Sequence, residues 1–132
     1  MLFRSPYIVV LLFQLNRFNM KKILLSLLVF MSLEIKAQTE GYASIYSKSL
    51  CGDATANGKR LDCNALTAAH RSFPFGSKVR VTNIKTGNSV IVTITDRGPY
   101  SKKMSIDLTP TAAKAIDLDY KKGIAKVKIS KL

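Results

Sequence analysis

Residues able to hold a metal are scarce in this chain: it has two cysteines, Cys51 and Cys63, and one histidine, His70, at no recognisable ligand spacing. That excludes the clustered Cys/His patterns of structural zinc, and no metal or other cofactor is expected. A Ser-His-Asp order, a glycine-rich phosphate loop and a nucleophilic-cysteine signature are also missing, so nothing points to triad or nucleotide chemistry. Acidic residues are few, 8 against 21 Lys and Arg. The positive charges are scattered rather than clustered. No zinc-finger, helix-turn-helix or aromatic-rich RNA pattern accompanies them, so nucleic acid is not the expected partner. Nor does any internal repeat, linker or low-complexity tail divide the chain.

Long apolar runs lie near the N-terminus. From Met20, Lys21 and Lys22 precede an apolar run from Ile23 to Leu33, and a polar stretch then ends at Ala37-Gln38. Basic, then apolar, then a small residue is the order of a secretory signal peptide. The apolar run is about eleven residues, short for a bilayer span. Cleavage is expected after Ala37. Residues 1–19 precede a complete signal and are read as an extension, with Met20 the expected start. The expected organisation is an extension and signal over 1–37, the signal proper being 20–37, and one exported domain over 38–132. No cysteine stands at the cleavage point, so no lipid anchor is expected there.

Residues 38–132 carry 16 Lys and Arg against 7 Asp and Glu, a net +9. For an exported domain, an anionic wall polymer is the fitting partner. Strand signals dominate it. Residues 42–47 are short and rich in aromatic and β-branched types. Residues 78–83 and 89–95 alternate apolar with polar, and Gly87-Asn88 between them suits a hairpin. Ile124, Val127 and Ile129 stand among Lys126, Lys128 and Lys131 near the C-terminus. Strands this short need partners on most sides, which indicates a small barrel. Two helical pieces are expected, one at 64–72 and one opened by Thr109 as N-cap and Pro110 as first helical residue. An even cysteine pair in an oxidising compartment leaves a Cys51–Cys63 disulfide open.

Val90–Thr95 runs into Asp96-Arg97-Gly98-Pro99, which no strand continues. If Val90, Val92 and Ile94 share a face, period two puts Asp96 on that face too. A carboxylate there is partly desolvated, the setting of a general acid; a turn-capping aspartate fits the same spacing. Arg97, of opposite parity, points elsewhere or supports the loop. His70 suits proton management or hydrogen bonding to a sugar or carboxylate, or a structural role. Thr55, Asn57 and Asp62 are polar groups on a glycine-containing loop that either contacts a ligand or merely turns. Asp107 precedes the second helix, where helix-end electrostatics explain it as well as catalysis does.

Taken together, GYASIY, TANGKRLDCNALTAAHRSFPFGSKVRVTN, GNSVIVTITDRGPY and IDLTPTAAKAI resemble the rare lipoprotein A family of double-psi β-barrel lytic transglycosylases, from about Gly41 to Ile129. The resemblance implies a mainly β fold, a small six-stranded double-psi β-barrel with one or two short helices. It implies an endolytic peptidoglycan lyase that cuts the N-acetylmuramic acid to N-acetylglucosamine β-1,4 bond and leaves 1,6-anhydro ends. Glycan strands would be its partner, and a monomer is expected. By position the family's catalytic acid falls on Asp96 and its important histidine on His70. A third functional position, usually glutamate, falls on Lys59, and a lysine cannot do a carboxylate's work at neutral pH. Asp62 is a nearby substitute in sequence, and Lys59 could instead bind a substrate carboxylate. Thr55, Asn57, Lys59, Asp62 and Arg97 are thus the expected substrate contacts. The alternative is a non-catalytic wall-binding or wall-loosening module on the same barrel.

Overall fold

A computed structural model describes residues 6–31 and 37–132. The chain divides into two compact units, Met1–Ile35 and Lys36–Leu132. In the first, helix α1 (Pro6–Met31) runs without a break through Met20. Asn16, Arg17, Lys21 and Lys22 interrupt its apolar sequence. Among the described residues no helix is long and apolar enough to cross a membrane. Most of the segment leading to the expected cleavage point, residues 32–36, lies outside the described residues.

The second unit is a closed barrel. Its strands are β1 (Gln38–Ile45), β2 (Thr67–Ala69), β3 (Lys78–Asn83), β4 (Ser89–Asp96), β5 (Ile106–Leu108) and β6 (Ile124–Lys131). They close in the order β1-β5-β2-β4-β3-β6. The β1–β5 and β2–β4 pairs are parallel, and the other four are antiparallel. Alternation decides the inside. Val79 and Val81, Val90, Val92 and Ile94, Ile106 and Leu108, and Val127 and Ile129 fill one core, while the residues between them turn outward. Helix α2 (Pro110–Ala115) closes that core with Ala112 and Ala113, followed by Ile116 and Leu118. The Thr109 hydroxyl accepts the Ala112 N–H, so the expected cap is in place.

The helix expected at 64–72 does not form. Turns lead instead into the three-residue strand β2, wedged between β4 and β5. Alanine's helix preference is worth only tenths of a kcal/mol per residue. Here Ala68 is fully buried in the barrel wall, paired with Ile94 on one side and Leu108 on the other, and its small side chain fits that crowded position. Cys51 and Cys63 form a disulfide, with their Cα atoms 5.6 Å apart. It fastens the long loop between β1 and β2, which also folds back on itself through an Ala54–Arg60 bridge.

Candidate active site

The site begins with an irregularity in β4. Along the parallel β2–β4 pair, Ala68 faces Ile94 but Ala69 faces Asp96, so Thr95 is an extra residue on β4. Such a bulge re-aims the side chains beyond it. Ala68 and Ile94 belong to the main core, whereas Ala69 packs outside it with Tyr46 and Leu61. Asp96 therefore shares the face of Ala69 and not that of Val90, Val92 and Ile94. Simple period-two counting put it on the wrong side, because counting along one strand cannot register a bulge.

On that face Asp96 is half-buried and held from three directions. Its Oδ2 accepts the Tyr46 hydroxyl at 2.8 Å. Its Oδ1 accepts the backbone N–H groups of Ala56 and Arg97, each at 2.9 Å. The Ala56 donor arrives on the loop that contains Thr55, Asn57 and Lys59. That loop docks on the bulge itself, for Asn57 N–H donates to the Thr95 carbonyl at 3.2 Å. Asn57 Oδ1 accepts the Lys59 N–H at 3.0 Å, and the Thr55 hydroxyl lies 2.7 Å from the Lys59 carbonyl. Gly58, at φ +86°, makes the tight turn possible. The side chains of Thr55 and Asn57 thus shape the loop that presents Ala56. Lys59 is exposed. Asp62 is exposed too and accepts its own turn's Asn64 N–H at 2.9 Å, an Asx-type contact that ties it to that turn.

His70 follows β2, and its N–H donates to the Asp96 carbonyl at 3.2 Å. Its Nδ1 accepts the N–H groups of Ser72 and Phe73 at 3.2 and 3.1 Å. A nitrogen that accepts cannot carry the proton, so the ring is neutral with its proton on Nε2. Burial, then the charges of Arg71 and Arg97, hold its pKa below the ordinary 6.5. The ring stacks on Phe73, centroids 3.8 Å apart. Arg97 braces the same loop. Its Nη1 donates to the His70 and Phe73 carbonyls at 3.2 and 2.9 Å, and its guanidinium lies 3.9 Å from the Phe75 ring centroid.

Of two further side chains in this constellation, Tyr46 escaped the sequence reading and Asp107 was left there between a helix-end and a catalytic role. Tyr46, just past β1, is buried, and burial together with its bond to Asp96 pushes its hydroxyl far above the ordinary tyrosine pKa. It therefore acts as a fixed hydrogen-bond donor. Asp107 pairs across β5 with Ala69, as Asp96 does across β4, so the two carboxylates flank Ala69 on one sheet face. Burial raises the Asp107 pKa to about 6; the Ser44 hydroxyl, 3.4 Å away, lowers it and Asp96 raises it. Thr109, not Asp107, caps α2. The sequence signal for Asp107 was its place between two inward residues, Ile106 and Leu108; for Tyr46 it was only a conspicuous aromatic after the first strand.

This closed barrel of six strands, two of its pairs parallel, is of the double-psi β-barrel class. Within that class, residues 38–129 match the model of the lytic transglycolase family, and the chain belongs to it. It is 50% identical over 92 residues to the "Probable endolytic peptidoglycan transglycosylase RlpA" of Treponema pallidum, spanning 70% of this chain and 29% of that protein. It is 45% identical over 92 residues to the "Endolytic peptidoglycan transglycosylase RlpA" of Neisseria meningitidis, spanning 70% of this chain and 38% of that one. The matched stretch is thus well under half of either relative's length. Among solved structures, the Clavibacter michiganensis expansin bound to cellohexaose shares the fold at 21% identity and TM-score 0.57, over 73% of this chain and 50% of the expansin. The Streptomyces papain inhibitor shares it at 19% identity and TM-score 0.58, over 76% and 99%.

Proposed function

We propose that the barrel is an endolytic peptidoglycan lytic transglycosylase. It cleaves the β-1,4 bond between N-acetylmuramic acid and N-acetylglucosamine and leaves a 1,6-anhydro end. The observation that carries this reading is the Asp96 carboxylate, held by donors from three chain segments at a strand end. Hydrolytic glycosidases need a second carboxyl to activate water or to attack the sugar. Here the sugar's own C6 hydroxyl attacks C1. The proton leaves O6 and arrives on the departing O4, so the reaction is proton-neutral and one carboxylate can serve both transfers. With oxygens surrounded by donors, Asp96 stands first as an acceptor. Its positioning is fixed before substrate arrives, which spares reorganisation during the reaction.

His70, neutral and with its proton on Nε2, offers a hydrogen bond to the glycan rather than a charge. Arg97 and exposed Lys59 are the proposed polar contacts to the strand. Thr55 and Asn57 act through the loop, and Asp62 does not replace the missing glutamate. The protein works outside the cytoplasm on the cell wall, as a monomer, with glycan strands as its partner. Family membership supports the substrate class. Lys59 in place of a carboxylate favours the second reading, a wall-binding module without catalysis. Incubation of the purified protein with intact and peptide-stripped peptidoglycan, followed by mass spectrometry, separates the two. New 1,6-anhydromuramyl ends are expected. Retained glycan with no new ends would support the binding module instead.

A further inference from the structure

Beside Asp96 lies a cleft of about 590 Å³ lined by Arg71, Arg97, Gly98, Pro99, Tyr100 and Lys102. It holds three cationic side chains and no acidic one. Among the described residues the one side-chain ion pair is Lys126–Glu40, on strands β6 and β1. None of the three cleft cations is therefore neutralised by a carboxylate.

The two guanidinium groups are nevertheless fixed. Arg71 donates through Nε to the Pro99 carbonyl at 2.9 Å and through Nη2 to the Ser101 and Met104 carbonyls, each at 2.5 Å. Arg97 is held through Nη1 alone, by the His70 and Phe73 carbonyls. A guanidinium has five N–H donors. Both Nη1 donors of Arg71, and the Nε and Nη2 donors of Arg97, thus have no protein partner among the described residues. Carbonyl partners orient such groups without cancelling their charge. The free Nε–Nη2 edge of Arg97 is a rigid, uncancelled fork that can bind a carboxylate in two-pronged fashion at little entropic cost, and Arg71 adds single donors from Nη1. Tyr100, 92% exposed, stands at the rim and can cover an apolar sugar face.

We propose that this cleft is an anion subsite that binds a carboxylate of the glycan next to the bond being cut. It rests on the reading of the ligand as wall glycan. Two carboxylates of that polymer meet the requirement: the lactyl group of the muramic acid itself, and the carboxylates of an attached stem peptide. A neutral glucan offers neither.

Binding of three tetrasaccharides of alternating N-acetylglucosamine and N-acetylmuramic acid to the full chain tests the proposal. One has free lactyl carboxylates, one has them converted to amides, and one carries stem peptides. An Asp96→Asn background prevents turnover during the titrations. At least one acidic form is expected to bind about tenfold more tightly than the amide, in keeping with a charge-assisted contact in a solvent-open cleft. Preference for the first form assigns the lactyl group, and preference for the third assigns the peptide. Lys102 is exposed and makes no hydrogen bond, so Lys102→Glu leaves the fold intact while reversing one charge; it should remove most of the preference. Arg71→Lys keeps the charge but loses the Nη1 donors and the carbonyl bonds that fix their direction, and should remove part of it. Equal affinities for all three glycans would overturn the subsite, as would a preference that Lys102→Glu and Arg71→Lys leave unchanged. Absence of anhydro products from the unmutated protein would instead count against the lyase, with the binding result still readable.

Discussion

The two faces of β4 are built on opposite terms. Up to Ile94 its inward residues are valine and isoleucine, fully or almost fully buried and set by strict alternation. One residue later the strand bulges, and its last side chain is a carboxylate on the other face, bonded to a tyrosine and two backbone donors. The first part is held by area removed from water, which tolerates small shifts. The second depends on directional bonds to one acceptor, which do not. The barrel interior supplies rigidity, and the bulge converts it into a fixed position for a reactive group. The same row continues to Asp107, so both half-buried carboxylates of the barrel lie outside the hydrophobic core, on either side of Ala69.

Removing the bulge tests this division most severely. Deletion of Thr95 leaves Asp96 opposite Ala69 but straightens the strand and removes the carbonyl on which the Asn57 loop docks, so Asp96 should be re-aimed and lose the Ala56 bond. Anhydro-product formation should fall by about 10²–10⁴, the usual reach of a positioned acid–base group, and the protein should lose stability too. Substitutions that keep the backbone separate the faces. Ile94→Ala should cost about 2–5 kcal/mol of folding free energy in a denaturant titration, with the remaining folded protein close to normal in activity. Tyr46→Phe should act chiefly on activity. It removes a bond that positions the Asp96 carboxylate, so kcat should drop roughly ten- to a hundredfold, with a loss of folding free energy of about 1.5–3 kcal/mol that leaves the protein folded at the assay temperature.

The smallest effect is expected from Asp107→Asn. The folded-state pKa of Asp107 is raised from 3.8 to about 6, so between those values the folded state binds more protons than the unfolded one. Stability from this group is therefore present at low pH and lost as pH rises through about 6. The asparagine variant should be more stable than the parent at pH 7 and should show a flatter stability profile between pH 4 and 6, measured by denaturant midpoints. An unchanged profile would place the titration elsewhere.

Much of the barrel was legible in the residues because its signal is local. Alternation at 78–83, 89–95 and 124–131 marked three strands, and Thr109-Pro110 marked the helix start. Strand β2 was not legible: three residues with two alanines carry no period, and their conformation is imposed by the neighbours on either side. The site was legible in part. Asp96 and His70 stood out by chemical type and by family pattern. The face of Asp96 did not, since it depends on a register shift against β2 that no single strand encodes. Thr55 and Asn57 stand on the loop that brings Ala56 to Asp96, but their side-chain hydrogen bonds turn inward to that loop. For Asp62, nearness in sequence says nothing about direction, and this carboxylate accepts a bond from its own turn. The cysteine pair had two open outcomes, and the loop geometry brings the two together.

Asp96 is the proposed proton-carrying group. The direct measurement is the rate of 1,6-anhydromuramyl end formation from peptide-stripped peptidoglycan by the protein and by Asp96→Asn, with folding verified by melting temperature and an intact Cys51–Cys63 bond. A loss of about 10²–10⁴ in rate with glycan binding retained is the predicted result. Equal rates from the two proteins would contradict it and require the anhydro ends to be made by another group.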